Sequence, residues 1–370
     1  TSSTPGAVIR FTTDGSWPSE TTGTVYTQPV FINRTTPLKA IASKSGYASS
    51  NVDTQTYIFV DEVVTQTHQN TQSARGFPAD WDGFPAYYGM YGNLSRVDPL
   101  ADPTIRDELV RIPSLSIAMD LDDLFGTEGI YAHPLQDGLR WERKTSLEFI
   151  DPDPPDGTGD FQQNCAIRIQ GGAFRHLSNT RKKSFRVPFK SDYGLSNQPT
   201  GGPGKLDFPL FGPDAADEFQ TLIFRAEAND GWSWKGARNQ PQYARDEFGR
   251  QLHRELGHPA SHGRYCHLYL NGAYWGVYNV VERPDSGFAE SYLGVDRESW
   301  QGQNAGQPIN ENLSLQDWSE FLDVLDNISA QAGDAARNRS YLRVCGFTLG
   351  GRRHEPFEVW FDPDNFIDYL

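Results

Sequence analysis

Methionine is nearly missing from this chain: Met90 and Met119 are the two among 370 residues, and residue 1 is Thr. The last residue, Leu370, lies in an apolar-periodic run with Phe366 and Ile367, and no helix stop follows it, so the sequence reads as a fragment of a longer protein. Cysteine is scarce as well. Cys165, Cys266 and Cys345 stand too far apart for a disulfide framework or a zinc ligand set and are expected as buried thiols. Positive charge is short: 33 Lys+Arg against 48 Asp+Glu leave a net charge of -15, which excludes a general nucleic-acid or anionic-membrane binder. Long apolar runs are absent, none approaching the ~20 residues of a membrane span, and no signal peptide is visible. Aromatic residues are plentiful, with 9 Trp, 16 Tyr and 22 Phe beside 35 Gly and 24 Pro. That mixture suggests a loop-rich, β-containing exported protein of two or three domains.

Charge is also sparse over residues 1–60, where β-rich runs alternate with turn signals. The runs are Val8–Thr12, Val25-Tyr26, Pro29–Ile32, Leu38–Ala42 and Thr54–Ile58, a spacing that predicts a small antiparallel sandwich. The pattern Phe11-Thr12-Thr13-Asp14-Gly15-Ser16-x-Pro18, Tyr26-x-x-Pro29-Val30, Leu38–Ala42, Gly46-Tyr47 and Tyr57 resembles the chitobiase/β-hexosaminidase C-terminal-like module. The resemblance implies an Ig-like accessory domain, with Trp17 and Tyr47 as packing aromatics or as a sugar-binding face. Residues 61–111 lack periodicity and are expected as an irregular connection docked on the next domain through Trp81, Phe84, Tyr87, Tyr88 and Tyr91. Beyond it, Ile112–Met119 reads as a strand. Asp120, Asp122 and Asp123 behind it read as a helix start rather than a cation site. Trp141–Ile150 reads as another strand, and Asp151–Gly157 as a hairpin tip.

From Phe161 to Ser191 no Asp or Glu occurs, while Arg168, Arg175, Arg181, Lys182, Lys183, Arg186 and Lys190 all do. Cys165–Gln170 and Ser184–Phe189 alternate as strands, and Gly171-Gly172 between them permits close approach of backbone to a ligand. A glycine loop between strands, flanked by cations, suits phosphate. The competing reading is that these cations pair with acids elsewhere in the chain. Further on, Ala244, Phe248, Leu252 and Leu256 recur every four residues behind Pro241, with Gly257 and Pro259 as stops, and predict a helix. Asn271-Gly272 between Arg264–Leu270 and Ala273–Glu282 predicts a type I′ hairpin. Beyond Glu282 polarity rises at Arg283-Pro284-Asp285, the profile of a hinge. Ser314–Asp317 reads as a capping box opening a helix with Trp318, Phe321, Leu322, Leu325 and Ile328 on one face.

The series Arg168–Gly172, Lys182–Arg186, Phe224-Arg225, Asp230, Arg245-Asp246 and Leu268–Glu282 resembles the CotH (spore coat protein H) kinase family from about Ile112 to Leu370. Phe174 departs from the pattern, since many members have Ser there. The resemblance implies an α+β fold: the N-terminal Ig-like β-sandwich (1–60), then the connection (61–111), then an atypical kinase-like domain (112–370). A nucleotide lobe would run to about 284 and an incomplete second lobe over 285–370. The implied activity is that of an exported or surface-associated bacterial protein kinase using ATP and Mg²⁺ or Mn²⁺ to phosphorylate Ser of secreted or surface proteins. On that template Gly171 and Gly172 cover the phosphates, and Lys183, with Lys182 as the alternative, reaches one of them. Arg168 and Arg175 add positive charge, Arg245 orients an acid, and Glu282 lies near the adenine. The catalytic carboxylates are expected beyond Leu370, so the fragment itself is expected to be inactive. The rival reading is a non-catalytic surface pseudokinase or an adhesion protein binding glycan through residues 1–60. A carbohydrate-active enzyme ranks last, for want of paired carboxylates.

Overall fold

A computed structural model describes residues 1–90, 104–154, 159–190, 204–231, 234, 240–304, 307–309, 316–354, 359 and 361–369. The chain divides into two compact units, one of Thr1–Arg245 with His262–Arg283, the other of Asp246–Ser261 with Pro284–Leu370.

The first unit opens with β1 (Val8–Thr12), β2 (Thr24–Val25), β3 (Thr36–Ser43) and β4 (Asp53–Tyr57), antiparallel in the order β2-β1-β3-β4. The expected two-layered sandwich is thus a single sheet. Pro29–Ile32 forms no strand, and Phe31 stands 85% exposed. No second sheet is needed because the inner face of β4 is covered by the barrel described below. The Thr56 amide donates to Glu148 Oε1 at 2.7 Å, the Thr56 hydroxyl meets Ser116 Oγ at 2.7 Å and the other Glu148 oxygen, and Asn164 Nδ2 donates to the Val52 carbonyl at 2.9 Å. These groups are buried, and burial raises the Glu148 pKa against the lowering effect of the Thr56 hydrogen bonds.

The connection is not irregular. It holds α1 (Val60–Val64), α2 (His68–Arg75), the short pair β5 (Asp80–Trp81) and β6 (Phe84–Pro85), and α3 (Ile105–Arg111). Thr67 and Asn70 form a reciprocal capping box at the start of α2, a three-residue spacing that hydropathy does not report. Tyr91 lies outside the described residues.

A closed barrel follows, built from β7 (Ser114–Ala118), β8 (Arg143–Ile150), β9 (Phe161–Gln170), β10 (Ser184–Pro188), β13 (Thr221–Arg225), β14 (Gly263–Leu270) and β15 (Ala273–Glu282). Its order is β10-β13-β15-β14-β7-β8-β9, with β9 pairing back onto β10. All neighbours are antiparallel except β14 and β7. Between β7 and β8 lies α4 (Leu121–Phe125), the helix start read from the three Asp residues, and β11 (Leu206–Asp207) pairs with β12 (Glu218–Phe219) outside the barrel. Strand alternation sends Leu115, Ile117, Leu147, Phe149, Cys165, Ile167, Phe185, Phe224, Leu268, Tyr278 and Val280 into one core. All three cysteines are free and buried. The β14–β15 turn has the left-handed backbone its sequence predicts, with φ +45° at Asn271 and +75° at Gly272. Asn271 also pins the turn down: its amide side chain exchanges 2.9 Å bonds with the Met119 backbone on both sides. Gly15 closes over that contact, and a Cβ there would come within 2.6 Å of the Asn271 side chain.

The second unit is largely helical. It contains α5 (Arg245–Glu255) from Asp246 onward, α6 (Ser286–Leu293), the pair β16 (Gln303–Asn304) and β17 (Gln307–Pro308), α7 (Gln316–Ser329), α8 (Asp334–Val344) and α9 (Pro363–Tyr369). Asp285 caps α6 by accepting the amides of Gly287 and Phe288. Ser314 and Leu315, half of the expected capping box of α7, lie outside the described residues. No described helix is long and apolar enough to cross a membrane. The described residues thus form a closed seven-stranded barrel and a largely helical unit, a mixed helix-and-sheet fold as expected.

Candidate functional site

The loop between β9 and β10 is built by two strands that alternate and a glycine pair that does not. Gly171 takes φ +122°, a conformation that L side chains rarely adopt. A Cβ placed on Gly171 or Gly172 would meet nothing within 4 Å, so this side of the loop is open. Behind the glycines the chain makes a short turn, with the Arg175 amide donating to the Gly172 carbonyl at 2.9 Å. The amides of Gly171, Gly172, Ala173 and Phe174 have no acceptor among the described residues. Consecutive free amides in a tight turn form an anion-binding concavity.

The cations around this loop mostly hold it in place. Lys183 is fully buried, and its Nζ donates to the carbonyls of Phe174, Arg175 and Thr180 at 3.2, 2.9 and 2.6 Å. Burial pulls its pKa down to about 7, while the carbonyls favour the charged form. The sequence assigned this ammonium to a phosphate. In the structure it ties the two ends of the loop together. Arg175 donates from Nη2 to the Ile169 carbonyl at 3.0 Å and from Nη1 to the Gln136 carbonyl at 3.0 Å, with Asp137 at 3.6 Å. Arg168 is buried, with Nε 3.7 Å from Glu142 Oε1, and Lys190 reaches the other oxygen of that carboxylate at 2.8 Å. The competing reading, cations paired with acids elsewhere, therefore holds for Arg168, Lys190 and Arg175. It fails for the loop amides, which composition cannot reveal.

Lys182, next in sequence to Lys183, points to a different place. Its Nζ donates to the Val277 carbonyl at 2.6 Å and lies 4.6 Å from the Tyr278 ring and 5.7 Å from that of Tyr243. Burial lowers its pKa to about 8, and the charge of Glu227 opposes the shift. Glu227 is buried, adopts φ +49° and faces Arg225 Nε at 3.4 Å. Neither Glu227 nor Glu142 was singled out from sequence. Each is a lone acid in an ordinary polar setting, and only the fold surrounds it with cations.

Arg245 does meet an acid: its Nε is 3.3 Å from Asp230 Oδ1, and Nη2 holds the Gln240 carbonyl at 2.8 Å. The Asp230 Oδ2 is buried without a hydrogen-bond partner among the described residues. Glu282, at the end of β15, is buried and accepts from the His262 amide at 2.7 Å, with His262 Nδ1 at 2.9 Å. Among the described residues, no group of three His, Cys, Asp or Glu lies close enough to hold one metal ion.

In the N-terminal sheet, the Trp17 ring is bracketed by Lys39 Nζ at 3.7 Å and Lys144 Nζ at 4.0 Å, while Tyr47 stands 62% exposed with Lys44 Nζ at 5.0 Å.

A model described as CotH kinase protein matches residues 167–370, just over half of the chain, and one described as Fn3 associated matches residues 1–57. No curated protein matches the chain.

Proposed function

The chain belongs to the CotH kinase protein family and carries an Fn3-associated module at its start, and from that premise we propose that it binds a nucleoside triphosphate in order to transfer a phosphoryl group to Ser of a secreted or surface protein. The observation that supports this best is the run of amides Gly171–Phe174 lacking acceptors among the described residues, on an open glycine turn. Phosphate oxygens need such donors, because phosphoryl transfer depends on positioning and charge neutralisation. Lys183 and Arg175 act one step back: bound to loop carbonyls, they fix the amides in place before a ligand arrives. Lys182, the alternative lysine, is turned to the Val277 carbonyl and the Tyr278 ring and takes no part in this turn. Arg245 holds Asp230, so that this carboxylate keeps one oxygen committed and one uncommitted among the described residues.

The family implies a divalent metal, which would neutralise phosphate charge when bound. The described residues do not by themselves form a site for it. The same observation favours a second reading, a nucleotide-binding surface protein without phosphotransferase activity.

Ala173→Glu tests the amide turn. Ala173 is exposed in the short helical turn behind the glycines, so the fold tolerates the longer side chain while its carboxylate repels phosphate beside the amides. The affinity for ATP, read by calorimetry, should fall at least tenfold with an unchanged melting temperature. Unchanged affinity removes the turn from the site. Phosphotransfer by the full-length gene product to a Ser-rich acceptor separates the two readings.

A further inference from the structure

A second concavity lies in the same unit, away from the glycine turn. It encloses about 240 Å³ between the connection and β15, lined by Trp81, Tyr87, Tyr88, Gly89, Met90, Arg181, Lys182, Tyr274, Trp275 and Gly276. Among the described residues no Asp or Glu lines it, although the chain carries 48 of them and a net charge of -15. Two neighbouring cations enter it instead.

The rings are firmly held. Trp275 donates from Nε1 to the Tyr131 hydroxyl at 3.1 Å and packs edge-on against that ring. Trp81 donates to the Tyr88 hydroxyl at 3.0 Å. His68 stacks in parallel on both Tyr87 and Tyr88, at 6.0 and 5.5 Å with 8° between planes. Arg181 is anchored through Nη1 to the Pro85 carbonyl at 2.6 Å, and Lys182 through the Val277 carbonyl. A guanidinium has five N–H donors and an ammonium three, so each anchor leaves donors over. Pre-ordered aromatic faces beside pre-ordered cations lose little entropy on binding.

Three features narrow the ligand. The volume is below the roughly 300–1,000 Å³ of drug-sized pockets and suits a single six-membered ring. Aromatic faces are electronegative and attract the polarised C–H face of a pyranose. The cations call for an anion on that ring. A peptide strand fits less well, because β15 is hydrogen-bonded on both sides, to β13 and β14, and offers no edge for backbone pairing. We infer that the cleft formed by Tyr87, Trp275, Arg181 and Lys182 binds a hexuronic acid residue of an acidic glycan. The sugar would stack on the rings, with its carboxylate between the two cations.

Tryptophan fluorescence of the full chain, titrated at low ionic strength with trigalacturonate, provides the test, since Trp81 and Trp275 line the cleft. Saturable quenching is expected with trigalacturonate and none with a neutral trisaccharide. Tyr87 is 47% exposed and Arg181 is exposed, so Tyr87→Ala and Arg181→Gln should fold normally and each weaken binding at least fivefold. Absence of saturable quenching overturns the inference, as does an affinity that neither variant changes in samples with wild-type melting temperatures. Equal binding of the neutral sugar refutes the anionic class. Binding of pentaglutamate with the same dependence on both variants reassigns the cleft to acidic peptides.

Discussion

The barrel unit and the helical unit place the same apolar side chains in opposite settings. In the barrel, Ile117, Leu147, Phe149, Phe224 and Leu268 are completely buried. In the helical unit, Phe248 and Leu252 of α5 and Leu256 just after it are 67%, 46% and 48% exposed, and Trp318, Leu322 and Leu325 of α7 are 40%, 43% and 37% exposed. Both sets follow a clean periodicity. The difference is that a closed sheet manufactures its own interior, since each strand's apolar face meets the faces across the barrel. A helix with an apolar stripe buries it only where another surface is supplied. Regular pattern therefore specifies the element, and closure decides burial. The polar residues divide in the same way. Buried Lys183, Lys39, Glu148 and Asn271 all have backbone or side-chain partners in the barrel unit, whereas the ion pairs of α5, from Arg250 and Arg254 to Glu247, lie along one helix and are partly solvated.

Lys183→Met gives the largest expected effect. It strips the partner from three carbonyls, each costing about 1–3 kcal/mol when orphaned, so the barrel unit should lose about 3 kcal/mol or more in denaturant unfolding. A variant with wild-type stability would overturn the lysine's role in holding the loop. A smaller effect concerns pH at the seam between the N-terminal sheet and the barrel. Lys39 is fully buried, donates to the Gly15 carbonyl at 2.8 Å and has a pKa lowered to about 7 from its ordinary 10.5, chiefly by burial, with Asp120 and Asp14 opposing and Lys144 reinforcing. Because the unfolded chain binds this proton more tightly, stability should rise as pH climbs from about 7 towards 10.5, by at most about 1.4 kcal/mol per pH unit from this group. Lys182 and Lys183 shift in the same direction. Unfolding followed at pH 7 and 8.5 should show a flatter pH dependence in Lys39→Met than in the parent; an identical slope assigns the effect to the other lysines. The smallest effect belongs to the helical unit. Leu252→Ala should stay within about 0.5 kcal/mol, as exposed positions do, and a loss resembling a core truncation, about 2–5 kcal/mol, would erase the contrast between the units.

Much of the local structure was legible in the residues. Asn271-Gly272 announced its hairpin because few pairs accept two left-handed positions, and Ala244, Phe248, Leu252 and Leu256 announced their helix by spacing. Gly171-Gly172 marked the turn whose amides lack acceptors among the described residues. Other features were not legible. Thr56, Ser116 and Glu148 are far apart in sequence, so nothing local indicates that the first sheet shares its inner face with the barrel. The lysines that bracket Trp17 come from β3 and β8, so nothing beside it in sequence indicates them. Lys182 and Lys183 are chemically identical neighbours just ahead of β10, and only the fold sends one to an aromatic cleft and the other to the loop carbonyls.

The sequence alone therefore determined the family, the hairpin, the glycine turn and the acid-free strip, all properties of contiguous residues whose chemistry is local. Only the tertiary structure decided which cations are committed to holding the loop, where uncommitted donors remain, and that the first module is sealed to the barrel by buried polar contacts. Those outcomes depend on which distant groups exclude water together, and burial of that kind is created when strands close on one another rather than encoded at any single position.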